Sequence, residues 1–209
     1  MKKLKLNLKQ ASQSDIDAIL KEASSVIAAG GLVIYPTETT YGIGADPNNS
    51  HAIDKLLAYK SRREGKPLSV AVSDQNMAKR YVNINQQAQN FYQRFLPGAY
   101  TVISQLKNDS PIDQRVASEF KTLGIRIPNY PLVLNWLKKM DQGITATSAN
   151  VSDQKRPYNI DEILEKLPSK QKNLIGSIPI SPSLWGIRLM VGQNHLICKL
   201  FYSGRYHNW

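Results

Sequence analysis

The sequence predicts an α/β fold, and three observations carry that prediction. Helical and strand patterns alternate along the chain with no repeat or linker between them, which is typical of layered α/β domains. The chain of 209 residues is long enough for one well-buried domain but is short for two domains. Hydrophobic residues make up 42% of the chain and charged residues 21%, a composition typical of a folded protein.

The first helix and the first strand follow directly from the residue pattern. Apolar residues recur at helical spacing after a serine cap, Ser12 or Ser14, and the pattern ends at Gly30-Gly31. The apolar run 32–35 then predicts a buried strand, which Pro36 stops.

Helices and strands continue to alternate along the rest of the chain. A second helix begins after the Asn48-Asn49-Ser50 cap and is expected to hold Lys60-Ser61-Arg62-Arg63 in its last turn. Further patterns predict strands at 68–72, 101–106, 123–127 and 144–147, and helices at 86–96, 132–140 and 160–167. The segment 173–202 is strand-like but irregular.

The charge balance predicts polyanionic partners. Lysine and arginine number 27 against 16 acidic residues, which gives a formal net charge of +11. This surplus favours a nucleotide or RNA as ligand, although scattered lysines that only keep a protein soluble would give the same balance. No apolar run is long enough to span a bilayer, and residues 1–5 lack the apolar stretch of a signal peptide. We therefore expect a cytoplasmic protein with no membrane partner.

Several kinds of catalytic site are not indicated by any motif. His51, His195 and His207 are scattered, and their spacing suggests no metal site. The chain contains no Walker A pattern, no Gly-x-Gly-x-x-Gly and no Gly-x-Ser-x-Gly. Any metal is therefore expected to arrive with a bound nucleotide, as magnesium on its phosphates.

Four separated fragments carry the chemistry of this sequence. They are Pro36–Gly44, Lys60-Ser61-Arg62-Arg63, Gly124–Pro128 and Thr147-Ser148-Ala149-Asn150. Each lies at the end of a predicted strand or on the helix beside it, and each offers hydroxyls, cations or a carboxamide without apolar periodicity. Hydroxyls and fixed cations at strand ends are what a nucleotide phosphate site needs.

Each fragment also has a plainer interpretation. Three threonines after a strand suit an ordinary sheet edge, cations at a helix C-terminus complement the macrodipole, and 147–150 suits a polar turn. Arg126 lies in an apolar strand, so it is expected either to pair with an acid inside the protein or to point into a cavity. Gly42 and Gly44 would let the backbone approach a ligand closely.

In this order the four fragments resemble the YrdC-like family, whose best-known members are the threonylcarbamoyl-adenylate synthases. The match covers roughly residues 20–160 and weakens over 161–209. The resemblance implies a single domain, 1–209, with a twisted mixed β-sheet, flanking helices and a basic central concavity. It also implies that L-threonine, bicarbonate and ATP are converted to L-threonylcarbamoyladenylate and pyrophosphate, for modification of the tRNA adenosine next to the anticodon.

The same resemblance implies roles for particular residues. The implied catalytic residues, which also bind ATP, are Lys60, Arg62, Ser148 and Asn150, with the first two on the triphosphate. The implied contacts to substrate threonine are Thr37, through a hydroxyl, and Arg126, through the carboxylate. Further ATP contacts are implied at Thr101, Arg156 and Ser183.

This chain departs from the family pattern at a few positions. Thr40 stands where many relatives have an apolar residue, and Ala71 stands where some have a histidine that touches the carbamoylated amino acid. Near the C-terminus, Arg205 is the candidate to replace an arginine that many relatives carry.

Two other functions remain open at this point. An RNA-binding or ribosome-associated module of the same fold would explain the charge without catalysis, but the combined Lys-x-Arg and Ser-Ala-Asn set argues against it. Carbamoyl transfer from carbamoyl phosphate, as in larger relatives, would keep the nucleotide site, but the chain length argues against it. A short-form synthase would deliver its product to a separate tRNA threonylcarbamoyl transferase complex, with tRNA or double-stranded RNA as a further partner.

Overall fold

The computed structural model describes residues 2–6, 11–61, 66–152, 163, 165 and 177–182. Its strands are β1 Lys2–Leu6, β2 Val33–Pro36, β3 Tyr41–Gly44, β4 Ser69–Ala71, β5 Val82–Asn83, β6 Val102–Leu106, β7 Thr122–Arg126, β8 Ile144–Ser148 and β9 Ser177–Pro182. Its helices are α1 Gln13–Ala28, α2 Ser50–Lys60, α3 Gln75–Ala78, α4 Gln86–Phe95 and α5 Pro131–Met140.

The described strands form one mixed sheet in the order β1-β9-β2-β3-β8-β4-β7-β6-β5. The β1–β9, β9–β2 and β4–β7 pairs are parallel. The remaining pairs are antiparallel. The predicted mixed sheet with flanking helices is therefore confirmed. Strand β8 lies between β3 and β4, and this placement brings residues 147–150 next to the Pro36–Gly44 fragment.

Helices cover both faces of the sheet at its centre. Strand β2 shows the division, because successive side chains of a strand point to opposite faces. Its Val33 and Tyr35 pack with α1 and α5 around the buried Trp136. Its Ile34 packs with α2 and α4 in the second cluster, which includes Tyr59. No described helix has the length and apolar character needed to cross a membrane.

The ends of α1 agree with the sequence. Ser12 is its N-cap: the Ser12 hydroxyl accepts from the Asp15 N–H at 3.2 Å, and the Asp15 carboxylate accepts from the Ser12 N–H at 2.9 Å. This reciprocal pair satisfies two backbone donors that the helix leaves open. Past the other end, Gly30 has a φ of 68°, which glycine adopts without strain.

The end of α2 requires a correction. The helix begins after the Asn49 cap, as predicted, but it ends at Lys60. Ser61 has left-handed backbone angles, φ 47° and ψ 40°, and its N–H bonds back to the Ala58 and Leu57 carbonyls. The expectation that Lys60 through Arg63 form the last turn is therefore wrong for Ser61, and residues 62–65 lie outside the described residues.

Four short elements were not predicted from the sequence: β1, β3, α3 and β5. Their lengths of five, four, four and two residues leave little periodicity to detect. Of the predicted helix 160–167, the structure describes only residues 163 and 165, both helical. Of the irregular segment 173–202, it describes β9.

Candidate functional site

A cavity of about 280 Å³ lies against the middle of the sheet. It is bounded by strands β2, β3, β4, β7 and β8 and by three loops, and its lining residues are Tyr35, Thr37, Thr39, Thr40, Gly42, Ala71, Ala99, Thr101, Arg126, Pro128, Ala146, Thr147 and Ser148. The β3–β8 register pairs Gly42 with Ser148 and so joins two fragments that are far apart in the sequence.

The structure brings four predicted site residues together in this cavity: Thr37, Thr101, Arg126 and Ser148. Lys60 and Asn150 are described but do not line it. The predicted residues Arg62, Arg156 and Ser183, together with Arg205, lie outside the described residues.

The Thr37 side chain organises its own turn. Its hydroxyl donates to the Thr40 carbonyl at 2.7 Å and accepts from the Thr39 and Thr40 N–H groups, each at 3.2 Å. The Thr37 N–H donates to the same Thr40 carbonyl at 3.2 Å. The hydroxyl proton is committed to the Thr40 carbonyl, and both acceptor positions of Thr37 Oγ1 are taken by N–H groups, so the turn uses the full hydrogen-bonding capacity of this hydroxyl.

The space over Gly42 is taken by the protein itself. A Cβ placed on Gly42 would lie 2.8 Å from Cζ of Tyr35, and one on Gly44 would lie 2.8 Å from Cδ1 of Ile144. Glycine is therefore needed here because the Tyr35 ring crosses the strand, whereas the sequence suggested close approach to a ligand. The Tyr35 hydroxyl donates to the Thr145 carbonyl at 3.2 Å, and burial raises the pKa of Tyr35, so it stays protonated.

Arg126 has both of the surroundings that the sequence left open, an acidic partner and a cavity. Its Nη2 donates to Oε1 of Glu38 at 2.6 Å and to the Thr39 hydroxyl at 2.7 Å. The side chains of Arg126 and Glu38 are 18% and 20% exposed. Nε of Arg126 and Oε2 of Glu38 are buried and have no hydrogen-bond partner among the described residues. Arg126 therefore has a donor left over, and its position at the cavity is held by Glu38.

Glu38 is the candidate site residue that sequence reasoning missed. It stands inside the Pro36–Gly44 fragment, and the residue pattern indicated no role for it. The signal was present, because an internal acid was one of the two expectations for Arg126. Only the fold identifies Glu38 as that acid, since the two residues are 88 positions apart.

The described part of the cavity is more hydroxylic than basic. Arg126 is the single charged side chain that the described lining contains, and Glu38 balances its charge. Threonine and serine hydroxyls form much of the remaining polar surface, and Ala71, Ala99, Ala146 and Pro128 form an apolar part. This combination suits a small ligand that carries a carboxylate, a hydroxyl and a short apolar group. In the described part of the chain, no three His, Cys, Asp or Glu side chains group closely enough to hold a metal ion.

The 148–150 loop is attached to the end of α2. Nζ of Lys60 donates to the Ser148 carbonyl at 2.8 Å and to the Asn150 carbonyl at 2.6 Å. The Tyr59 hydroxyl donates to the Ala149 carbonyl at 2.9 Å. Burial raises the pKa of Tyr59, so this hydroxyl remains a donor at neutral pH.

Comparison with known proteins identifies the family. The family model for Sua5, YciO and YrdC proteins, described as "Telomere recombination", matches residues 25–182. The chain belongs to this family. The match includes all four fragments, and it ends at Pro182, the last residue of β9.

Named relatives of this family member include threonylcarbamoyl-AMP synthases. The chain is 33% identical over 165 residues to a Methanocaldococcus jannaschii protein provisionally named as such, covering 79% of this chain and 76% of that protein. It is 29% identical over 164 residues to the threonylcarbamoyl-AMP synthase of Bacillus subtilis, covering 78% of this chain. That match spans 47% of the Bacillus protein, so the chain corresponds to about half of it.

Solved structures of the family share the fold. P. abyssi Sua5 complexed with L-threonine aligns with a TM-score of 0.73 at 22% identity, over 87% of this chain and 50% of that one. E. coli YciO aligns with a TM-score of 0.72 at 18% identity, over 88% of this chain and 84% of that one.

Proposed function

We propose that this family member is an L-threonylcarbamoyladenylate synthase that uses L-threonine, bicarbonate and ATP. The observation that carries the proposal is the single cavity that Thr37, Thr101, Arg126 and Ser148 line together. These residues come from fragments spread over more than a hundred positions, and the fold brings them to one place. The names of the Methanocaldococcus and Bacillus relatives support the same reaction.

The proposed chemistry requires alignment more than acid–base catalysis. The threonine amine and bicarbonate form a carbamate with loss of water. A carbamate oxygen then attacks the α-phosphorus of ATP, and pyrophosphate leaves. The protein must hold the labile carbamate in line with the phosphorus and keep water out. A cavity rich in hydroxyls with one arginine and no histidine in its described lining is compatible with that task.

We assign the two substrates to two sides of the cavity. The amino-acid side consists of the Thr37 turn and Arg126, whose guanidinium would bind the threonine carboxylate. Thr37 is proposed to contact the threonine hydroxyl, which would take the place of one of the two N–H groups that now donate to Thr37 Oγ1. The apolar wall that includes Ala71 leaves room for the methyl group.

The nucleotide side consists of the 148–150 loop and Thr101. Ser148 and Asn150 are proposed to contact ATP, and Arg62 to bind the triphosphate. Lys60, which does not line the cavity, is proposed to act on the triphosphate through this loop. Arg156 and Ser183 stay predicted ATP contacts. Magnesium would be carried by the ATP phosphates, which bring their own oxygen ligands.

The wider setting follows from the product. A mixed anhydride such as threonylcarbamoyladenylate hydrolyses easily, so we propose direct delivery to a tRNA threonylcarbamoyl transferase complex in the cytoplasm. We further propose that residues 1–209 form one domain, since the described strands join in a single sheet.

Product formation tests the proposal. Purified protein is incubated with ATP, threonine and bicarbonate, pyrophosphate is measured, and the nucleotide product is identified by mass. We expect pyrophosphate only when threonine and bicarbonate are both present, together with an adenylate that carries the carbamoylated amino acid. Pyrophosphate release that is indifferent to threonine, or no adenylate product, would overturn it.

A further inference from the structure

We propose that Lys60 is a positioning residue that, together with Tyr59, holds the 148–150 backbone from behind and thereby places Ser148 and Asn150. The inference rests on the proposed function only for the identity of the ligand. The attachment itself is a property of the protein without substrate.

Three consecutive carbonyls of the loop are bound by the last two residues of one helix. Lys60 Nζ donates to the Ser148 carbonyl at 2.8 Å and to the Asn150 carbonyl at 2.6 Å. The Tyr59 hydroxyl donates to the carbonyl between them, that of Ala149, at 2.9 Å. The connection also runs in the opposite direction, because the Ser152 N–H donates to the Lys60 carbonyl at 2.9 Å. On its other side the loop is tied to β3, where the Ala149 N–H donates to the Tyr41 carbonyl at 2.9 Å. We call this set of bonds the loop clamp.

The environment of Lys60 supports a structural role for its ammonium. The residue is 3% exposed, and a buried ammonium requires polar partners. Two of its three N–H donors bond to loop carbonyls. Tyr59 is fully buried and carries no charge at neutral pH. Its hydrogen bond to the Ala149 carbonyl therefore holds the loop and does not attract a phosphate.

The clamp can influence chemistry because the loop borders the cavity. Ser148 lines the cavity and Lys60 does not, so the route from Lys60 to a ligand in the cavity runs through the loop backbone. A displacement of about 1 Å in a positioned group can lower turnover by about a hundredfold. Loosening the loop should therefore reduce turnover even though every side chain that lines the cavity is unchanged.

The same helix supplies a matched control. Nζ of Lys55 donates to the Gly30 carbonyl at 2.7 Å, which is also a lysine-to-carbonyl bond from α2. Its partner lies after α1 and does not line the cavity. Lys55→Met therefore removes an equivalent bond without touching the clamp.

Amide hydrogen exchange of the protein without substrate tests the clamp directly. In Lys60→Met, the Ala149 and Ser152 amides should exchange roughly ten- to a hundredfold faster, as expected for loss of hydrogen bonds to a charged group. The Val72 amide, bonded to the Arg126 carbonyl at 2.9 Å, reports on overall stability and should change no more than in Lys55→Met. Lys60→Arg keeps donors for the carbonyls and should retain most of the protection.

Steady-state kinetics separate positioning from direct phosphate contact. If Lys60 positions the loop, Tyr59→Phe should also lower turnover, in proportion to its faster loop exchange, with the KM for threonine within about twofold. If Lys60 only contacts phosphate, Tyr59→Phe should leave turnover unchanged. That result, or unchanged loop exchange in Lys60→Met, would overturn the proposal.

The two proposals fail in different ways. A wild-type protein that forms no adenylate product would refute the proposed function, while the exchange measurements would still decide whether the clamp exists. If Lys60→Met does not fold, Tyr59→Phe and Lys60→Arg provide the exchange and turnover comparisons.

Discussion

The amino-acid side and the nucleotide side of the cavity are held in place by different residues. On the amino-acid side, cavity-lining groups also hold structure: Arg126 donates to the Thr39 hydroxyl as well as to Glu38, and the Thr37 hydroxyl closes its own turn. On the nucleotide side, the loop is held by Lys60 and Tyr59, which do not line the cavity.

This difference determines what a substitution can reveal. On the amino-acid side, a change removes a ligand contact and a structural bond together, so stability and activity should fall together. On the nucleotide side, position can be changed while the cavity-lining side chains are kept. Variants that separate stability from activity are therefore the best tests of the amino-acid side.

The largest effect is expected from Arg126→Ala. Turnover should fall by at least about a hundredfold, because the carboxylate contact is lost. The free energy of unfolding should fall by about 3 kcal/mol, because Glu38 is left as a mostly buried charge without its partner. Turnover and urea unfolding measure the two losses.

Adding Glu38→Gln to Arg126→Ala separates those losses. The double variant should recover much of the stability and none of the turnover. The unpaired Glu38 charge is removed, but the Arg126 guanidinium that would bind the substrate carboxylate is still missing. Arg126→Lys keeps the charge beside Glu38, so it should weaken threonine binding about tenfold with ATP binding within twofold. Equal weakening of both substrates would contradict the assignment of Arg126 to the amino-acid side.

An intermediate effect is expected at Thr37. Thr37→Val removes the hydroxyl that organises the turn, so stability should fall by about 1–2 kcal/mol and the preference for threonine over 2-aminobutyrate should shrink. Thr37→Ser keeps the hydroxyl and should stay close to wild type in both measurements. Calorimetry and competition between the two amino acids test this, and an unchanged preference in Thr37→Val would place hydroxyl recognition elsewhere.

The smallest effect lies away from the cavity and serves as a reference for both sides. Asp113 and Arg115 connect a loop to the start of α2, where Arg115 contacts Asp54 and the Ser50 carbonyl. Hydrogen bonds from Arg115 lower the pKa of Asp113 from 3.8 to about 2.

Because this pKa is lowered on folding, the contribution of Asp113 is complete above about pH 4 and is lost as the pH falls toward 2. Asp113→Asn should flatten the decline in stability over that interval and leave turnover at neutral pH unchanged. Acid unfolding of the two proteins measures this, and parallel curves would show that the pair contributes nothing.

Local signals predicted much of the framework. The serine cap and the glycine end of α1, the asparagine cap of α2 and the apolar run of β2 each depend on a few neighbouring residues. Strand β3 lacked such a signal, because Gly42 and Gly44 are poor strand formers. Their presence is explained only by the Tyr35 ring and Ile144, which occupy the space that side chains would need.

The sequence by itself determined which residue types carry the chemistry and in what order, because hydroxyls, cations and turn residues can be recognised within short stretches of sequence. The tertiary structure decided which of them meet. Arg126 pairs with Glu38, which is 88 positions away in the sequence. Lys60 donates to the carbonyls of Ser148 and Asn150, which are 88 and 90 positions away. Pairings at that separation depend on strand β8 inserting between β3 and β4, and no local pattern specifies that insertion.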